Sequence, residues 1–222
     1  MCGRFSMAYE GDWSAIIEYF RLTDNGFRYP PRYNIAPTQN VMAIISDGNE
    51  RRAGMLRWGL IPRWSETEKT SFSTFNARAE RLATAPSFRH LIARRRCVVV
   101  ADGIYEWHRN TRKPYRIRVS KHEVFGMAGL WDTWRAPDGK KTIHSCTIIT
   151  TEANMFMRHL HDRMPVILPR DAMDIWLDRG ITDKEVAMSV LQPYDGELYA
   201  YRVTEAVGNV MYDEPECIEE VK

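Results

Sequence analysis

The stretch "VMAIISDGNERRAGMLRWGLI" (41–61) constrains the fold more than any other. Two apolar, strand-like runs flank Asp47-Gly48, a dipeptide suited to a tight hairpin turn. "RAPDGKK" (135–141) repeats the device between "VFGMAGLW" (124–131) and "HSCTIIT" (144–150). Further strand-like runs are "CVVVADGIYEW" (97–107), "YRIRVS" (115–120), "PVIL" (165–168) and "LYAYRV" (198–203). Helical spacing is confined to a few segments. In "DWSAIIEYF" (12–20), Trp13, Ile16, Ile17 and Phe20 share a face and Asp12 is placed to cap it. "EANMFMRHL" (152–160) reads as a second helix. "DAMDIWLDRG" (171–180) reads as a third, capped by Asp171 and ended by Gly180. Strands joined by hairpin turns, rather than alternating with helices, imply an α+β chain built on antiparallel sheet. No repeat, low-complexity tract or long linker divides the 222 residues, so one domain is expected. Five acids among the last ten residues imply a loose acidic tail at about 213–222.

A net charge of +2 gives no global field for nucleic acid, but the charge is unevenly placed. Residues 1–111 hold sixteen Lys and Arg against eleven Asp and Glu, and 112–222 hold fifteen against eighteen. Fifteen of those first sixteen cations are arginines, the side chain suited to forked phosphate contacts, although a solvated basic surface would look the same. The first twenty residues have no apolar run behind a basic start, and no stretch has the length of a membrane span. A cytoplasmic protein is expected. The cysteines Cys2, Cys97, Cys146 and Cys217 show no zinc spacing, so no metal site is expected. Cys97 and Cys146 sit in apolar runs as core residues do, whereas Cys2, in "MCGRF", has no packing explanation in the sequence.

Several polar stretches look out of place as structure. "ADGIYEW" sets Glu106 between two aromatics, as a strand-edge glutamate or as an acid/base. "HLHDRMPV" sets His161 beside Asp162 and Arg163, as surface residues with a local ion pair or as a site. Asn76 in "NARAE" is a helix cap or a binding group. Trp64 in "RWGLIPRW" is core or, if exposed, a stacking surface.

Taken in order, "MCGRF", "RYNIAP", "RWGLIPRW", "NARAE", "ADGIYEW", "TIITT", "HDRMPVIL" and "AVGNV" span about residues 2–210. This pattern closely resembles the SOS response-associated peptidase (SRAP) family, whose members shield abasic sites in single-stranded DNA. The resemblance implies a single domain on a mainly antiparallel, barrel-like β core flanked by short helices. It also implies removal of Met1, which leaves Cys2 with a free α-amine and a thiol on adjacent carbons. An aldehyde condenses with the amine, and the thiol then closes a thiazolidine. Ordinary values of ~7.7–8.0 for an α-amine and ~8.5 for a thiol suit this near neutrality.

On the same resemblance the catalytic set is Cys2, Asn76, Glu106 and His161. Asn76 would orient the Cys2 terminus, and Glu106 and His161 would move protons. Arg4, Arg78 and Arg163 would bind phosphates, Asn34, Pro37 and Trp64 would shape the strand path, and Thr150 would line the pocket. The expected partner is single-stranded DNA with abasic sites, bound by a monomer without cofactor and nucleoid-associated when bound. Peptidase and lyase activities accompany the resemblance. The readings of other kinds are a non-covalent reader of modified bases and an N-terminal-nucleophile cysteine peptidase.

Overall fold

The computed structural model describes residues 2–69 and 73–221. The first half comprises β1 (Phe5–Met7), α1 (Trp13–Phe20), β2 (Arg32–Ile35), β3 (Asn40–Ser46), β4 (Arg51–Trp58), β5 (Asn76–Arg78), β6 (Arg96–Ala101) and β7 (Gly103–Trp107). The second comprises β8 (Pro114–Val119), β9 (Phe125–Arg135), β10 (Thr142–Glu152), β11 (Arg163–Pro165), β12 (Ile167–Leu168), α2 (Arg170–Leu177), α3 (Lys184–Met188) and β13 (Leu198–Arg202).

The hairpin at Asp47-Gly48 forms as expected. β3 pairs antiparallel with β4 from Asn40↔Arg57 to Ser46↔Arg51, and the Asp47 carboxylate accepts from the Asn49 and Glu50 amides. β3 also pairs with β6, β6 with β9, and β9 with β10, all antiparallel. β10 then pairs parallel with β4 at Ser145↔Arg57 and Cys146↔Trp58, which closes the five strands into a barrel. Closure brings strands close together at Gly129. A Cβ there would lie 2.8 Å from the Thr147 carbonyl oxygen and 2.9 Å from Cys97 Sγ, so the position tolerates no side chain. Trp58, Cys97, Leu130, Cys146 and Ile148 are fully buried in the core. The α+β, mainly antiparallel architecture is thus as the sequence implies.

A second antiparallel sheet, in the order β13-β8-β7-β1-β2, lies beside the barrel. "CVVVADGIYEW" is therefore two strands in two sheets, split at Asp102. The Asp102 carboxylate accepts from the Ser6 hydroxyl at 2.6 Å and the Ala8 amide at 3.0 Å, and pairs with Arg116 at 2.8 Å. All of these groups are buried, and they lock β1 against the junction. β1 in turn carries the amino-terminal segment.

The first helix behaves as read. The Asp12 carboxylate accepts from the Ser14 amide, Ile16 and Phe20 face inward, and Arg21 ends the helix at φ 52°. Three local expectations are corrected. Pro169, not Asp171, holds the cap position of α2, Asp171 lies in its first turn, where its charge still suits the helix dipole, and the helix stops at Leu177 with Asp178, not Gly180, behind it. Asn76 is a strand residue of β5, paired alongside Ile148, and caps no helix. "EANMFMRHL" gives only a 3-10 turn at Met157–His159. The reason is tertiary: Glu152 pairs with Arg163, so the residues between must leave and return to one point. A helix of that length would carry the chain about 12 Å away. Asn154 makes the turn, accepting from the Met157 amide and donating to the Tyr194 carbonyl.

The acidic end is not loose over its described part. Asp213 accepts from the Tyr33 and Asn34 amides, each at 2.7 Å, and pairs with Arg32. Cys217 is fully buried beneath it, and the Tyr105 hydroxyl donates to the Cys217 carbonyl at 3.2 Å.

Candidate active site

The site assembles where the end of β10 meets β5, β11 and the segment before β1. β10 is bordered on one edge by β5, at Ile148↔Asn76 and Thr150↔Arg78, and on the other by β11, at Thr150↔Pro165 and Glu152↔Arg163. Alternation along β5 buries Ala77 and puts Asn76 and Arg78 on the opposite face. From there Asn76 Nδ2 donates to the Cys2 carbonyl at 2.7 Å. Cys2 is completely buried, so the sequence's one unexplained cysteine is a packed residue at the amino-terminal end. Met1 lies outside the described residues, and its removal with it.

Burial sets the electrostatics. The Cys2 thiol is pushed up to about 12, first by loss of water and then by the charge of Glu106, so it is a neutral thiol at pH 7. Glu106, on β7, is 4 % exposed, and burial lifts its carboxyl from 4.5 to about 7. Such a group stands half-protonated near neutrality and can give or take a proton. His161 is half-buried, and burial also lowers its imidazole below the ordinary range, which keeps it neutral. Its Nδ1 accepts from the Arg163 amide at 2.9 Å. The neutral ring therefore carries its proton on Nε2, which makes it a donor at that atom.

Arg163 extends from β11 across β10. Its Nη2 donates to the Thr150 carbonyl at 2.7 Å, and its two terminal nitrogens grip the Glu80 carboxylate at 2.8 and 3.0 Å. Thr150 is fully buried, with its hydroxyl 3.4 Å from the Ala77 carbonyl. Arg78 is exposed on the Asn76 face. Trp64 is 56 % exposed, which excludes the core reading for it. Pro37 lines a separate cavity of about 480 Å³ with Thr38, Arg57, Trp58 and Phe75, the last being the neighbour of Asn76. None of Cys2, Glu106 and His161 lines that cavity.

Two residues expected on the DNA path have other employment. Asn34 is fully buried, and its Nδ2 donates to the Val207, Asn209 and Tyr212 carbonyls. Arg4 is buried as well, donating to Asn34 Oδ1 at 2.9 Å and to the Val207 carbonyl beneath Trp107. Both clamp the carboxy-terminal segment onto β1 and β2. Their spacing from the amino terminus could not show this, because the partners lie 173 or more residues away. The sequence reading also passed over Arg109 and Glu80. Arg109 pairs with Asp162 and presses on His161 electrostatically. Glu80 was visible in "NARAE" only as the end of a motif.

Among the described residues, no group of three or more His, Cys, Asp or Glu could hold a metal ion. Among them, no helix is long and apolar enough to cross a membrane.

Fold and site together define a β-barrel protein with a buried amino-terminal cysteine, tethered by an asparagine beside a carboxyl that titrates near neutrality. The SOS response associated peptidase (SRAP) family model matches residues 1–210, and the chain belongs to that family. It is 44% identical over 226 residues to the abasic site processing protein YoqW of Bacillus subtilis (strain 168), covering 99% of both chains. It is 33% identical to the abasic site processing protein HMCES of Xenopus tropicalis, over 86% of this chain and 66% of that one. A crystal structure of a protein from Bacteroides thetaiotaomicron superposes with a TM-score of 0.85 at 26% identity, over 100% of both chains.

Proposed function

We propose that this chain processes abasic sites in single-stranded DNA by capturing them covalently at Cys2. Relatives such as YoqW carry the name abasic site processing protein. The observation that carries the reading is the tether from Asn76 to the Cys2 carbonyl beside a carboxyl poised at about 7.

Once Met1 is removed, the Cys2 amine attacks the aldehyde of the ring-opened deoxyribose. The adduct loses its hydroxyl as water to give an imine, for which protonated Glu106 supplies the proton. The imine keeps its N–H proton; the thiol sulfur then adds to its carbon, closing the thiazolidine, and the thiol proton passes to the Glu106 carboxylate. One water leaves overall, and no oxidant or reductant is needed. A thiol held up near 12 reacts in its neutral form, so a neighbouring base must receive its proton as the C–S bond forms, and Glu106, then ionised, is suited to that. His161 supplies a hydrogen bond from Nε2 to the departing or ring oxygen. Asn76 restricts the Cys2 backbone so that amine and thiol meet the same carbon. Arg78 and Arg163 hold the flanking phosphates, Thr150 supports Arg163, and Pro37 and exposed Trp64 border the strand. The protein acts as a monomer.

Self-removal of Met1 at the same groups is the peptidase reaction that fits this site. A general cysteine peptidase fits less well, because it needs a thiolate and burial here opposes one. The test is incubation with single-stranded DNA containing one abasic site, followed by denaturing electrophoresis and intact-mass measurement. The expected product survives heat without reductant, at the summed mass of DNA and Met1-less protein minus water. A shift seen only on native gels would instead make the protein a non-covalent reader.

A further inference from the structure

Glu80 stands where a negatively charged ligand of Arg163 would have to stand. It lies in the 3-10 turn Ala79–Arg81 that directly follows β5. Arg163 reaches it from β11 by crossing over Thr150, so the carboxylate and guanidinium form a strap across the end of β10. The contact is two-pronged, at 2.8 and 3.0 Å, the geometry in which arginine also holds a phosphate. Arg78, two residues before Glu80, adds its positive field to the same carboxylate. The Arg163 side chain is only 15% exposed whereas that of Glu80 is 48% exposed, so the acid is the partner free to swing into solvent.

We propose that Glu80 is an internal competitor for phosphate: its carboxylate occupies the Arg163 fork in the DNA-free protein and is displaced when a strand binds. The inference rests on the DNA-binding reading above. Its consequence is kinetic economy. Every strand must first break an ion pair, so the hold on undamaged DNA is weak and release is fast. Only a strand with an aldehyde within reach of Cys2 is retained, because a covalent bond then replaces the phosphate contact as the source of residence time.

The test uses fluorescence anisotropy of a labelled oligothymidine that contains no abasic site. Glu80→Gln keeps the size of the side chain and removes its charge. It should tighten binding roughly two- to five-fold, the equivalent of releasing a part-exposed ion pair. A change in the general field would do the same, so a double-mutant cycle decides. In an Arg163→Ala background, or Arg163→Lys if the alanine variant melts early, the gain from Glu80→Gln should shrink or vanish. A gain that persists undiminished in both backgrounds overturns the proposal, as does weaker binding by Glu80→Gln, which would mean that Glu80 holds Arg163 ready for DNA. Cross-linking to an abasic strand is measured in parallel. Normal cross-linking with an unchanged oligothymidine affinity in Glu80→Gln defeats this inference alone, whereas no cross-link and no binding by any variant defeats the proposed function and this inference with it.

Discussion

Replacing Glu106 by glutamine should make the protein more stable and less active, with a pH dependence that identifies the cause. Glu106 is 4 % exposed, and burial raises its carboxyl from 4.5 to about 7. The unfolded chain sheds this proton near its ordinary value, while the folded chain keeps it until about 7. Between those values the folded state binds more protons than the unfolded state, so stability falls as pH rises. The contribution is fully present below the unfolded value and lost once pH passes the folded one. At about 1.4 kcal/mol per pKa unit, the loss above neutrality comes to ~3 kcal/mol. Glutamine has the same shape and no charge to desolvate. The variant should therefore match wild type near pH ~4 and exceed it by up to ~3 kcal/mol near pH ~8. Urea unfolding followed by the fluorescence of the seven tryptophans measures this at each pH, with equal m-values as the control. The same variant should cross-link abasic DNA some ~10²–10⁴-fold more slowly while binding it almost normally. A stability difference that stays constant across the pH range would mean that Glu106 titrates as an ordinary carboxylate, and its acid/base assignment would fall.

Cys2→Ser retains a small residue behind Met1 and should still expose an α-amine. Its adduct with an abasic strand should be trapped by borohydride and lost on heating without it, and a heat-stable unreduced adduct would place the nucleophile elsewhere. His161→Ala should lower the cross-linking rate with little change in affinity for DNA, and lost affinity at an unchanged rate would reverse its role. Asn34→Ala should destabilise the fold by about 2–4 kcal/mol, because the Asn209 and Tyr212 carbonyls lose their Asn34 donor and buried Arg4 loses an acceptor, yet leave DNA affinity per folded molecule unchanged. A stable Asn34→Ala variant that binds DNA poorly would return Asn34 to the strand path.

Much of the fold was legible in local sequence because it depends on local chemistry. Hairpins at Asp47-Gly48 and Asp138-Gly139, apolar runs with strand character, and Asp12 before the amphipathic α1 all act within a few residues. The motifs also hold residues that the fold brings together: Cys2 meets Asn76 and Glu106, and His161 meets Arg163, which reaches Thr150. Tertiary structure decided what periodicity could not carry. One apolar run became two strands because Asp102 must serve Ser6, Ala8 and Arg116 at the junction of two sheets. A segment of helical composition became a 3-10 turn because Glu152 and Arg163 pair across it. Arg4 and Asn34, which look like ligand groups near the amino terminus, became clamps because their partners arrive from the other end of the chain. Glu80 gained its meaning only when Arg163 crossed β10 to reach it. A residue's type limits the bonds that it can make, and that much is written in the sequence; which bond it makes depends on what the closed barrel leaves within about 3 Å of it.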